Sequence, residues 1–247
     1  MTSKRLTWVA GDRPADKLDE TSGKILAAGR QGLRSNTTSS AKAMEYAGGE
    51  TASAPGSSGT SIFDPVLCEL AYTWFCPPSG AVLDPFAGGS VRGIVAAVLG
   101  RHYTGVDLRP EQIAANVEQA QAIVPDNMPR WIVGDSREAM PDEQFDFVFS
   151  CPPYADLEVY SDDPRDISTM DYPDFMAAYR DIVAGAVRRL RDNRFACFVV
   201  GDVRDKKGMY YNFVSDTIAA FQDAGARLYN EAVLVTAVGS LPIRVGK

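Results

Sequence analysis

Four short stretches of this chain carry side chains that could do chemistry, and each closes an apolar run. The first is Asp84-Pro85-Phe86-Ala87-Gly88-Gly89-Ser90. Its glycines let backbone approach a ligand closely, and the helical pattern opening at Ser90 would offer unpaired N–H groups. The stretch is neither the G-x-G-x-x-G of a dinucleotide fold nor a P-loop, which needs a Lys. A carboxylate at a strand end suits a cationic group better than a pyrophosphate; a tight strand-to-helix turn without a ligand is the competing reading. The second is Asp107, where, about twenty residues on from the glycine turn, a carboxylate can accept two hydrogen bonds from a ribose diol. The third, Gly134-Asp135-Ser136, is a further polar terminus able to reach an adenine ring. Successive acidic strand ends make a line along one sheet edge, as needed to hold an amino acid, a ribose and an adenine in turn. The fourth is Ser150-Cys151-Pro152-Pro153-Tyr154. Its prolines remove backbone donors and fix the chain, and Tyr154 offers an aromatic face for stacking a planar base.

The elements that must position these residues follow from the apolar pattern. Pro65, Leu67, Leu70, Ala71 and Trp74 recur at helical spacing after the helix-start signal Asp64-Pro65. Strands are expected at 81–84, 103–107, 131–135, 145–150, 195–202 and 228–236. Helices are expected from Ser90 to Leu99, Pro110 to Ile123, Pro173 to Leu190 and Tyr211 to Ala224. Apolar strands alternating with helices predict a doubly wound α/β fold, a mostly parallel sheet covered on both faces with ligands beyond the carboxyl ends of its strands. A seventh strand looks curtailed at VGSLPIRVGK, so the chain reads as truncated or as completed by a second copy or a partner at the sheet edge. Residues 1–60, rich in Ser, Thr, Gly and Ala, read as an arm or linker, and 61–247 as the catalytic domain.

Composition narrows the class. The chain has 247 residues, 45% hydrophobic and 23% charged, which suits a soluble globular protein. No apolar run approaches the roughly 20 residues of a membrane span, and the start lacks the apolar core of a secretory signal. A cytoplasmic protein without a membrane partner is expected. The scattered Cys68, Cys76, Cys151 and Cys197 read as reduced packing residues, the single histidine, His102, as a strand-edge residue, and no metal site is expected. The net charge of -7 argues against non-specific coating of nucleic acid. Charge is segregated, however. Acidic residues crowd the stretch from Asp156 to Asp181, and basic ones gather from Arg188 to Lys207.

DPFAGGS after the first strand, followed by a Pro-Pro-Tyr tetrad after the fourth, resembles the DNA amino-methyltransferases that act on adenine N6 or cytosine N4. The resemblance covers roughly residues 60 to 240. It implies a class I, Rossmann-like methyltransferase of a bacterial or phage restriction–modification type, with S-adenosylmethionine as cofactor and DNA as substrate. By the same resemblance Asp84, Phe86, Gly88 and Ser90 would line the methionine part, Asp107 and Leu108 the ribose, and Asp135 and Ser136 the adenine. Ser61 and Phe63 fall where the family has another cofactor-contacting segment. A flipped base would stack on Tyr154, its amino group donating to the Pro152 carbonyl and to Cys151 or Ser150, with Pro153 stiffening the turn. The family has Asp, Asn or Ser before Pro-Pro. Cys151 departs from that pattern, and its sulfur is a weaker acceptor than a carboxylate. The version with Ser is the nearer one and is associated with cytosine, so adenine and cytosine both stay open. Arg204, Lys206 and Lys207 are expected to clamp phosphates beside the flipped nucleotide, or else to form a solvated loop. The acidic stretch after the tetrad must fold away, order on binding, or contact base donors. Competing functions are amino-methylation of RNA or of a protein amide, and a catalytically silent cofactor- or DNA-binding module.

Overall fold

The computed structural model describes residues 63–154, 160–205 and 207–234. Ser61, Lys206, the 1–60 arm and the segment after 234 therefore lie outside the described residues. Helix α1 (Pro65–Phe75) begins as its sequence predicts. Asp64 caps it by accepting from the Val66 N–H at 2.8 Å, and Pro65 occupies the first turn. There follow β1 (Ala81–Asp84), α2 (Val91–Val98), β2 (His102–Asp107), α3 (Pro110–Ile123), β3 (Arg130–Val133) and the short α4 (Ser136–Ala139). Then come β4 (Phe145–Ser150), a 3-10 turn (Ile167–Thr169), α5 (Tyr172–Arg188), β5 (Leu190–Phe198) and α6 (Phe213–Asp223).

The five strands form one parallel sheet in the order β3-β2-β1-β4-β5. Strand order reverses between β1 and β4, which makes their carboxyl ends the switch point where a doubly wound sheet opens a crevice. Val82, Phe147 and Phe149 face a core shared with α1, α2 and α3, while Leu83 and Val148 face the core under α5 and α6. Helices thus cover both faces, which explains why the central strands are mostly apolar rather than alternating. One glycine sets how closely α2 sits on the sheet, and a second how closely the β1 turn sits on β2. A Cβ at Gly93 would meet the Trp131 ring at 2.6 Å, and one at Gly105 would meet Ala87 and Tyr103 at 2.8 Å. Among the described residues no helix is long and apolar enough to cross a membrane.

Three expected strands are corrected. β3 ends at Val133 rather than at 135, so Asp135 lies beyond it. β5 begins at Leu190 and ends at Phe198 rather than spanning 195–202, with an irregular register opposite Phe145 and Phe147. Its polar start, Arg191 to Arg194, is exposed, and Arg191 and Arg194 bind Asp146, a side chain of the neighbouring strand. The sixth strand expected at 228–236 is absent among the described residues 228–234. Leu228, Tyr229, Val233 and Leu234 are exposed, and Tyr229 meets Phe195 ring edge to face without a ladder forming. Strand-type composition is a fit to a pleated neighbour, and here the neighbour is not engaged.

Candidate active site

The carboxyl ends of β1, β2 and β4 converge, but their side chains have unequal tasks. Asp84 is wholly buried. Its Oδ2 accepts from Arg92 Nε at 2.6 Å and Tyr103 Oη at 2.7 Å, and its Oδ1 from Ser150 Oγ at 2.5 Å and the Phe86 N–H at 3.1 Å. The expectation that Asp84 lines a cofactor directly is therefore corrected: buried and held by four donors, it fixes the turn. Arg92 donates further to the carbonyls of Phe86 and Ala87, and its guanidinium lies 4.7 Å from the Phe63 ring centroid. Burial lowers the Arg92 pKa, but the Asp84 charge outweighs it and the guanidinium titrates above its ordinary value. Ser150 is corrected in the same way. It is buried, its hydroxyl bridges Asp84 and the Phe86 N–H (3.2 Å), and it offers nothing to a target amino group.

Phe86 is half-buried, its ring stacked on Tyr179 at 6.0 Å. Gly88 needs its glycine: φ is +49°, its N–H donates to Asp107 Oδ2 at 2.9 Å, and its carbonyl accepts from Asn116 Nδ2 at 2.7 Å. A Cβ on Gly88 would have its nearest neighbour at 4.0 Å, and one on Gly89 would meet nothing within 4 Å. The turn thus borders open space rather than packed protein. Ser90, expected at the methionine part, is buried with its hydroxyl on Gln119 Oε1, a third correction of direct contact.

Asp107 differs. It is half-buried, with Oδ2 on the Gly88 N–H and Oδ1 on the Arg109 N–H (2.9 Å), leaving lone pairs on both oxygens. Burial raises its pKa above the ordinary carboxylate value, and the backbone N–H groups of Arg109 and Gly88 offset only part of that. Leu108 is half-buried beside it. At the third strand end, Asp135 caps α4 and is chelated by Arg137, which donates to Oδ1 at 3.0 Å and to Oδ2 at 2.5 Å. Burial pushes Asp135 up, but the Arg137 bonds outweigh it and hold the carboxyl below its usual range. The Ser136 hydroxyl donates to the Pro85 carbonyl at 2.6 Å and is buried, so it ties β3 to the β1 turn instead of reaching outward.

After β4, Cys151, Pro153 and Tyr154 are half-buried and Pro152 is buried. Tyr154 meets Phe213 edge to face at 6.0 Å, and a Cβ built on Gly201 would stand 3.8 Å from its hydroxyl. The described part of the acidic stretch binds its own charges. Asp163 pairs with Arg165, which brings it down to about 2; Asp166 accepts from Ser161 and Ser168; Asp171 caps α5. The Arg109 guanidinium lies 5.8 Å from the Tyr160 ring, so the stretch returns over the end of β2. Arg204 and Lys207 are exposed on a loop after β5. The sequence reading missed Arg92, Tyr103 and Asn116. An arginine inside the apolar run Val91-Arg92-Gly93-Ile94-Val95 was the available signal, because a buried charge needs a partner.

A methyltransferase-domain family model matches residues 86–161. Magnesium protoporphyrin IX methyltransferase from Synechocystis PCC 6803, solved with bound S-adenosylmethionine, is 13% identical, with 94% of each chain covered and a TM-score of 0.50. TrmN from Thermus thermophilus is 20% identical, with 55% of this chain and 38% of that one covered and a TM-score of 0.45. A TehB-like S-adenosylmethionine-dependent methyltransferase from Corynebacterium glutamicum is 18% identical, with 67% and 74% covered and a TM-score of 0.42. The chain thus spans well under half the length of the TrmN chain it matches. No curated protein matches it in sequence. Sheet order and the full-length overlay identify the fold as the Rossmann-like fold of class I methyltransferases.

Proposed function

We propose that this chain transfers the methyl group of S-adenosylmethionine to the exocyclic amino group of an adenine or cytosine flipped out of DNA. One observation carries the reading: the Ser150-Cys151-Pro152-Pro153-Tyr154 turn is hydrogen-bonded, through Ser150, to the glycine turn that begins at Asp84. A turn suited to the cofactor and an aromatic platform suited to a base are thereby fastened together at the switch point of the sheet. The match of a methyltransferase-domain model to residues 86–161 supports its methyl-transfer part.

The residues present fit the cofactor. Asp107 is a desolvated carboxylate with unused acceptor capacity, which a ribose diol would satisfy, and Gly88 and Gly89 border open space where backbone can approach the methionine part. When bound, the sulfonium supplies an electrophilic methyl group. Tyr154 would stack the target base, and the Pro152 carbonyl would accept one amino hydrogen, aiming the nitrogen lone pair at that methyl. The nitrogen held by Tyr154 and the Pro152 carbonyl would take the methyl from the sulfonium, whose S–C bond breaks, and the amino group, acidic once methylated, would give its proton to water. Rate then comes from positioning, for which no strong general base is required.

Tritiated methyl transfer to duplex DNA, RNA and protein extract in parallel tests the reading. Label on duplex DNA, on the amino group of adenine or cytosine, is the expected result. Label on RNA or protein alone overturns the substrate, and label on none overturns the activity.

A further inference from the structure

Gly88 and Gly89 let backbone come close to a ligand, but the same freedom lets the turn wander, since glycine holds no conformation by itself. Something outside the turn must fix it. Gly88 is gripped at both poles: its N–H donates to Asp107 Oδ2 at 2.9 Å, and its carbonyl accepts from Asn116 Nδ2 at 2.7 Å. The first partner closes β2, and the second stands midway along α3. Asn116 Oδ1 accepts in turn from Gln112 Nε2 at 3.0 Å, and Gln112 Oε1 from the Arg109 guanidinium at 2.9 Å. The Arg109 N–H then returns to Asp107 Oδ1 at 2.9 Å. Five hydrogen bonds thus close a ring that runs from the acid through α3 to the glycine turn and back.

Helix formation does not call for this arrangement. Asn is a middling helix former, and Asn116 is 1% exposed, where an amide costs free energy unless its bonds are made. Gln112 and Asn116 stand one turn apart, and Gln119 continues the stripe by accepting from Ser90. Ile113 and Ala120 of the same helix are buried and apolar, so α3 has a core face apart from this stripe. Asp107 has one N–H on each oxygen, so Gly88 sets its plane on one side and Arg109 on the other. Were the Gly88 peptide free to turn, that plane would be free as well.

We propose that Asn116 is a positioning residue for S-adenosylmethionine: through the Gly88 peptide it sets the plane of the Asp107 carboxylate, with Gln112 as its brace. This rests on the assignment of Asp107 to the cofactor ribose made above, and the test separates the two. Calorimetry on the full chain measures S-adenosylmethionine affinity in a cycle of Asn116→Ala and Asp107→Ala, with urea denaturation of each variant alongside. Asn116→Ala should weaken binding about fivefold or more in the parent background, but less than about twofold once Asp107 is replaced, because nothing is then left to orient. A residue that only packs would lower stability and leave affinity unchanged, or lower affinity equally in both backgrounds; either result overturns the role. Gln112→Ala alters a half-buried position and repeats the cycle should Asn116→Ala fail to fold. It should lose about threefold in the parent and nothing in Asp107→Ala, and parent affinity in Gln112→Ala would break the ring as a device. Asp107→Ala with parent affinity overturns the ribose assignment, and the positioning role with it.

Discussion

The carboxylates that close β1 and β2 are neighbours on one sheet edge, and their surroundings diverge. Asp84 is wholly buried, ion-paired to Arg92 and supplied with four donors; Asp107 is only partly covered and has two backbone N–H groups. Both are acids at strand ends next to a glycine turn, so sequence position alone gives them the same role. Depth separates them. β1 is central, and its end is roofed by α2 and the β4 turn, where an unpaired charge would cost several kcal/mol. The end of β2 lies one strand further out, where a carboxylate can stay partly unsatisfied until a ligand arrives. The first acid shapes the turn, and the second is the one the proposed function assigns to a ligand.

The largest effect expected from this division is on stability. Arg92→Met leaves Asp84 buried without its counter-charge and should lower unfolding free energy by about 3–5 kcal/mol, read by urea denaturation. Adding Asp84→Asn should cost less than the two single losses combined, as for groups sharing one network. A stability loss within about 0.5 kcal/mol, the range of ordinary surface substitutions, would erase the distinction between the two acids.

Asp107→Ala should do the reverse. Calorimetry should show S-adenosylmethionine binding weakened at least tenfold, about 1.4 kcal/mol or more, while stability stays near the parent value. Unchanged affinity would mean that the ribose lies elsewhere. Tyr154→Ala carries the comparison to the third strand end. It should keep cofactor affinity yet lose most methyl transfer, because stacking worth about 1–3 kcal/mol also places the amino group. Normal turnover of duplex DNA would leave Tyr154 a packing residue only.

Smaller effects follow from protons and salt. Asp107 has a raised pKa in the folded protein, so the associated stability is fully present below the ordinary value of 3.8 and is lost as pH rises through the raised one. Ribose donors prefer the ionised carboxylate, so cofactor affinity should fall as pH drops through that same window above 3.8, and Asp107→Asn should flatten the profile. A parent affinity constant through that window would assign the ribose contact to another group. Charge reversal at Lys206 and Lys207 should touch neither acid. It should leave cofactor affinity intact and flatten the salt dependence of DNA binding by about one unit of slope per lost phosphate contact. An unaltered slope would place the duplex away from this loop.

The legible parts of the sequence were those where one physical demand dominates. Ala81–Asp84 and Phe145–Ser150 match the expected strands residue for residue, since strands covered on both faces are mostly apolar and their polar members, Asp84, Asp146 and Ser150, are paired. The polar start of β5 was illegible because its residues are exposed and make salt bridges rather than core. The 228–236 stretch misled for the opposite reason: its composition suits a strand, but pairing depends on a neighbour that composition does not describe. At the site, Asp84, Ser90, Ser136 and Ser150 were read as hands held out to ligands, yet their partners are Arg92, Gln119, Pro85 and Asp84. Polar residues after strands look alike in one dimension whether they face a crevice or each other.

Because Phe86 and Ser150 meet on the one carboxylate of Asp84, the loops leaving β1 and β4 share a single anchor above ladder pairs joining Val82 to Phe147 and Leu83 to Val148. A shift of either loop would strain a hydrogen bond made by the other. In the proposed function, the gap between methyl donor and acceptor would then be gauged by a buried carboxylate rather than by the stiffness of either loop. A reaction in which a misplacement of about 1 Å can cost a hundredfold in rate gains a fixed ruler, and the loops beyond that anchor can change in sequence without resetting it.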